Sequence, residues 1–146
     1  MAKSAKVLIV DDEKNIRFLL SEVLSHEGFD VTEAKDGQES LEKMETTNFD
    51  LVITDIHMPR LDGISMLHHM EMAGREEKVI IMTAKPSEQV LLCEKMPRVI
   101  TQIYKPFRIE NFLELVIAAT AGSEYISDAN PEVSEETPEK AFSLLP

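Results

Sequence analysis

Short apolar runs of strand length alternate five times with stretches of helical periodicity, and this alternation limits the possible folds more than any other feature of the chain. Lys6–Val10 is apolar throughout after its first residue, as in a strand buried on both faces. Ile16, Leu19, Leu20, Val23 and Leu24 then recur at helical spacing, and Gly28 is placed to close that helix. Phe29–Ala34 reads as a second strand, Asp36-Gly37 as a turn, and a helix to about Thr47 follows with Leu41 and Met44 on its apolar face. The next strands are expected at Asp50–Thr54, Lys78–Met82 and Val99–Tyr104. Between and after them come helices at about Gly63–Met72 and Ser87–Lys95, and a last one at Ile109–Thr120 with Phe112, Leu113, Val116 and Ile117 facing inward. Strict alternation predicts an α/β fold, a parallel sheet with helices on both faces. There is no internal repeat and no G-x-G-x-x-G, which disfavours dinucleotide binding.

In open α/β sheets ligands bind beyond the carboxyl ends of the strands, so the residues there matter most. The first strand ends in Asp11-Asp12, the third in Asp55, the fourth in Thr83 and the fifth in Lys105. An order that makes these strands neighbours gathers three carboxylates, a hydroxyl and an ammonium on one rim. Such carboxylates repel one another unless a cation intervenes. An oxygen-only donor set suits Mg²⁺, which keeps several waters and shares sites with phosphates. Asp55 could then act as a carboxylate nucleophile, with Lys105 as a point charge for a phosphoryl oxygen. Singly, each residue has a plain alternative: Asp55 as a turn or cap residue, Asp11-Asp12 as a solvated loop, Thr83 and Lys105 as ordinary strand-end residues. Their joint placement carries the reading.

The segments Val7-Leu8-Ile9-Val10-Asp11-Asp12-Glu13, Asp55-Ile56-His57-Met58-Pro59-Arg60-Leu61-Asp62-Gly63, Met82-Thr83-Ala84 and Lys105-Pro106-Phe107 resemble the receiver domain of bacterial two-component response regulators, over roughly residues 6–120. The resemblance implies a flavodoxin-like (βα)5 sheet of order 2-1-3-4-5, in a domain spanning residues 1–122. It implies Asp55 as phosphoacceptor, with Thr83 and Lys105 contacting the phosphoryl group. Mg²⁺ would be bound by Asp12, Asp55 and the backbone carbonyl of His57, with Asp11 acting through water. Pro106 would follow a cis peptide bond. The donor would be a sensor histidine kinase or a histidine phosphotransfer protein, and the chain a signalling switch rather than an enzyme with outside turnover. Two other readings are a phosphohydrolase with an aspartyl-phosphate intermediate and a phosphorylation-independent adaptor. The first usually needs an acid two residues past the nucleophile, where this chain has His57; the second tends to lose acceptor, lysine or acid pair, all present here.

The chain also departs from the pattern. The aromatic switch residue common three positions before the lysine is Gln102 here, and Tyr104 adjoins Lys105 instead. Gln102 and Tyr104 share a strand face, so Tyr104 could partly substitute. Arg98-Val99 replaces a common Gly-Ala pair and Pro97 precedes it, predicting an unusual helix-to-strand connection before the fifth strand. The His57 side chain reads as a bystander, His68 and His69 diverge on a helix, and His26 sits near a helix end. Val90-Leu91-Leu92 either pack on the sheet or leave Leu91 on the surface of the fourth predicted helix, fifth strand and fifth helix, a face open to output or dimer contacts.

Net charge is −12, which disfavours direct nucleic-acid binding. Residues 123–146 hold six acids against one base, with Pro131 and Pro138, and are expected to form an acidic, disordered tail with an apolar end at 141–146. No effector domain fits there, so output is expected through contact with a downstream protein, as a stand-alone switch or relay shuttle. No run nears the roughly 20 apolar residues of a membrane span. Met1–Lys6 shows no export signal, and a lone cysteine, Cys93, allows no internal disulfide; both fit a cytoplasmic location.

Overall fold

The structure, a computed structural model, describes residues 4–84, 96 and 98–121. The expected helix at 87–95, with Val90, Leu91, Leu92 and Cys93, lies outside the described residues, as do Pro97 and the tail.

The elements run β1 (Lys6–Val10), α1 (Lys14–His26), β2 (Asp30–Ala34), α2 (Gly37–Thr46), β3 (Leu51–Asp55), α3 (Gly63–Met72), β4 (Lys78–Thr83), β5 (Val99–Tyr104) and α4 (Ile109–Thr120), the last helix of the sequence pattern. The strands form one sheet of order β2-β1-β3-β4-β5, with every pairing parallel, as expected. Side chains alternate across each strand. Val7 and Ile9 of β1, Leu51 and Ile53 of β3, and Ile80 and Met82 of β4 therefore pack with α1 and α4 on one face. Leu8 and Val10, Val52, and Val79 and Ile81 pack with α2 and α3 on the other. Burial on both faces is why these strands read as unbroken apolar runs.

Local chemistry sets the ends. Gly28, at φ 95°, follows α1 and donates its N–H to the Ser25 carbonyl, as a left-handed helix terminator does. Asp36-Gly37 is not a free turn: Asp36 caps α2, its side chain accepting the Glu39 N–H at 2.8 Å, and Gly37 is already helical. Asp62 caps α3 in the same way through the Ser65 N–H. In α4 the buried face is Phe112, Leu115, Val116 and Ala119, with Leu113 partly buried, while Ile117 is 47% exposed. The expectation that Ile117 faces inward is thus corrected: it lies one step around the helix from Val116, past the edge of the packed stripe.

β5 shows a register shift against β4 between Val79 and Ile80, while the connection leading into it lies largely outside the described residues. Val79 pairs with Val99 but Ile80 with Thr101, so Ile100 is the extra residue.

Candidate functional site

The strand ends converge as the sequence predicts. Asp11 and Asp12 follow β1, Asp55 ends β3, Thr83 ends β4 and Lys105 follows β5. Carboxylate oxygens of Asp11, Asp12 and Asp55 all lie within 4.8 Å of one another. Lys105 reaches into this group, its Nζ 3.1 Å from Asp11 Oδ2 and 2.9 Å from Asp55 Oδ2. The peptide between Lys105 and Pro106 is cis.

The five residues differ in setting. Asp11 is fully buried, with Oδ1 accepting the Glu13 N–H at 2.8 Å. Burial pushes its carboxyl above the ordinary carboxylate range; the ammonium of Lys105 and the Glu13 N–H pull against this, and the Asp55 charge adds to it. Burial works to lower the Lys105 ammonium, but Asp11 and Asp55 overcome it and hold the group above its ordinary value. Asp55 is 8% exposed, and its Oδ1 accepts the N–H groups of Ile56 at 2.7 Å and His57 at 3.3 Å. Asp12 is exposed and Thr83 fully buried. The Thr83 carbonyl accepts the Lys105 N–H at 2.7 Å, which ties the two strand ends together. Tyr104 pairs in register with Thr83, and Gln102 Nε2 lies 3.4 Å from the Tyr104 hydroxyl.

Such a rim concentrates negative charge, offers oxygen donors only, and carries one ammonium among them. It fits a hard divalent cation held by carboxylates. The same ammonium could serve an anionic group placed beside Asp55.

The loop after β3 is held against the strand end by Gly63. Its N–H donates to the Ile56 carbonyl at 2.8 Å. An ideal Cβ there would fall well inside van der Waals contact of the Asp55 carbonyl oxygen and 3.0 Å from Ile56 Cα. Both obstacles are backbone, so Gly63→Ala is expected to cost about 2–3 kcal/mol by overpacking. Gly28→Ala, where a Cβ meets nothing within 4 Å but φ is 95°, should cost only about 1–2 kcal/mol. Urea midpoints of the two variants check the ranking.

Sequence reasoning missed the outer supports of the site: Arg17, which donates to the Asp11 carbonyl at 2.7 Å and to Glu33 at 3.0 Å, and Arg60, which meets Asp36 at 2.9 Å. Arg60 lies inside the motif running from Asp55 to Gly63, but its partner is 24 residues away and no local pattern signals the pairing. His68 and His69 are exposed, as is His26, and His69 Nδ1 lies 2.8 Å from its own helix's Ser65 carbonyl. Among the described residues no other cluster of His, Cys, Asp and Glu could hold a metal ion, and no helix is long and apolar enough to cross a membrane.

Comparison with known proteins agrees with this geometry. The response regulator receiver domain model matches residues 7–117. Sporulation initiation phosphotransferase F of Bacillus subtilis is 36% identical over 111 residues, covering 76% of this chain and 90% of that protein. The alkaline phosphatase synthesis transcriptional regulatory protein PhoP of the same organism is 40% identical over 83 residues, 57% of this chain but only 35% of its own length. Among solved structures, chemotaxis protein CheY4 of Vibrio cholerae superposes with a TM-score of 0.74 at 29% identity, over 80% of this chain and 99% of that one. Response regulator TrrA of Thermotoga maritima, solved in complex with Mg(2+)-BeF, gives a TM-score of 0.70 at 33% identity, over 79% and 98%. On the match to residues 7–117 and the shared strand order, the chain belongs to the response regulator receiver domain family.

Proposed function

We propose that the chain is a phosphoacceptor switch of a cytoplasmic two-component phosphorelay, taking a phosphoryl group onto Asp55 from a phosphohistidine on a sensor kinase or phosphotransfer protein. The observation that carries this is the bridge from Lys105 to both Asp11 and Asp55 within a group of three carboxylates. The relatives named a phosphotransferase and a response regulator support it.

In the transfer, the phosphorus–nitrogen bond of the donor breaks as a phosphorus–oxygen bond to Asp55 forms. The electron pair leaves on the imidazole nitrogen, which takes up a proton. Asp55 Oδ1 is oriented by the N–H groups of Ile56 and His57. Lys105, now shared between two carboxylates, turns to a phosphoryl oxygen, and Thr83 rotates its hydroxyl toward another. Asp12, Asp55 and the His57 backbone carbonyl would hold Mg²⁺, with Asp11 linked through water. The donor set fits this ion, and a divalent charge there would neutralise repulsion between the acidic rim and an anionic donor.

The product carries added charge where four strands end, which biases the loops around it between two arrangements that a partner protein distinguishes. On this reading the chain is a signalling domain, turning over only its own acyl phosphate. Incubation with Mg²⁺ and radiolabelled acetyl phosphate should give about one acid-stable, base-labile label per chain. Omitting Mg²⁺, or substituting Asp12→Ala, should cut the labelling rate at least about tenfold. Equal labelling with and without the ion would count against the metal assignment, and no labelling from any phosphodonor against the function.

A further inference from the structure

Residues 33–37, the end of β2 and the entrance to α2, contribute nothing to the acid cluster, yet both loops that carry the cluster are fastened to them. On the β1 side, the Asp11 N–H donates to the Ala34 carbonyl at 3.1 Å, and Arg17 spans the Asp11 carbonyl and the Glu33 carboxylate. On the β3 side, the Gly37 N–H donates to the Leu61 carbonyl at 3.0 Å. The Arg60 guanidinium meets the Asp36 carboxylate through two contacts, Nε to Oδ2 at 2.9 Å and Nη2 to Oδ1 at 3.4 Å.

Arg60 has φ of 66°, a left-handed conformation that side chains other than glycine adopt at a cost. Something must hold it there. A half-exposed arginine makes a weak ion pair when both partners are free to move. Here one partner is fixed: Asp36 is 4% exposed and already locked as the cap of α2. The guanidinium fork therefore ties a strained loop residue to a rigid anchor. Between that tie and the end of β3 lie Ile56, His57, Met58 and Pro59.

We infer that Arg60 is a positioning residue: its pairing with Asp36 fixes the loop from Ile56 to Asp62 in the shape that presents the His57 backbone carbonyl to the cation. This rests on the metal assignment above. The pairing acts through the loop; Arg60 itself touches no member of the cluster.

Arg60→Asn separates backbone from side chain, because Asn tolerates the left-handed region but lacks both the charge and the fork. In metal-free protein, amide hydrogen exchange across 56–62 should be several-fold faster in Arg60→Asn than in wild type, while β1 is unchanged. By calorimetry the affinity for Mg²⁺ should fall about tenfold, as for other groups that orient a metal ligand from behind. Removing a positive charge by itself favours a cation, so the predicted loss runs against the change in net charge. Arg60→Lys, which keeps the charge but not the fork, should recover part of the loss. Unaltered loop exchange and Mg²⁺ affinity in Arg60→Asn would overturn the inference. So would a lower melting temperature with unaltered affinity, which would leave Arg60 a purely structural role. If wild type binds no Mg²⁺, the site reading and this inference fall together; if wild type binds and Arg60→Asn matches it, this inference falls alone.

Discussion

Asp55→Asn is expected to reduce phosphoryl uptake from acetyl phosphate to background while leaving the fold intact. The amide cannot form an acyl phosphate, and the other two carboxylates are poor substitutes. Asp11 is fully buried and engaged by the Glu13 N–H and Lys105. Asp12 is exposed but belongs to a different strand end, away from the N–H pair of Ile56 and His57 that orients Asp55 Oδ1. The substitution keeps shape, but its single amide oxygen can serve either Lys105 or the N–H pair of Ile56 and His57, not both, so the loss of a charge-assisted hydrogen bond should cost about 2 kcal/mol. Relief of repulsion offsets part of this, because the Asp55 charge is among the causes that raise the Asp11 carboxyl. Intact-mass spectrometry after incubation with acetyl phosphate and Mg²⁺ reads the result: one added phosphoryl group on wild type, none on the variant. Undiminished phosphorylation of Asp55→Asn would place the acceptor elsewhere and dismantle the proposed chemistry.

The parts of the fold legible in the sequence are those where burial is two-sided. Each of β1, β3 and β4 feeds both cores, so each reads as an apolar run, whereas the strand order, and with it the rim, came from the resemblance to the receiver family. Strand ends were less legible for a functional reason. β3 extends to Asp55 and β4 to Thr83, one residue past the predicted ends, because polar residues that serve a site do not look like strand members. Ile117 was misplaced because hydrophobicity marks a residue as apolar but not which side of the packed stripe it occupies. The pairs Arg17–Glu33 and Arg60–Asp36 were invisible because they join residues 16 and 24 positions apart, a separation that periodicity does not encode. The motif showed which groups meet at the rim; the supports behind them became apparent only in three dimensions. Gly63 lies between these cases: the motif marks it as a glycine, and the close approach of the Asp55 carbonyl explains why it must be one.

Replacing Lys105 by Met should destabilise the metal-free protein by about 3–5 kcal/mol near neutral pH, the cost of leaving a buried charge without its partner. Lys105 is 11% exposed and bridges Asp11, at 0%, to Asp55; methionine fills a similar volume, so the loss is electrostatic rather than a cavity. The pH dependence identifies the cause. Lys105 is held above its ordinary value, so its contribution is fully present below the unfolded pKa of about 10.4 and is lost as pH rises through the higher folded value. Asp11 is also raised, above about 3.9; the folded state keeps its proton more readily than the unfolded chain, so its unfavourable contribution grows as pH rises through that window and vanishes in acid. The gap between wild type and Lys105→Met should therefore be widest between these limits, narrowing toward acid as Asp11 takes its proton and toward alkali as the lysine loses its own. Mg²⁺ should raise the stability of the variant more than that of wild type, because the ion supplies the positive charge that the substitution removed. Urea titrations across pH, with and without Mg²⁺, measure all three effects. A deficit that is flat with pH and insensitive to the ion would mean that Lys105 contributes packing alone, and that the acid cluster needs no cation to fold.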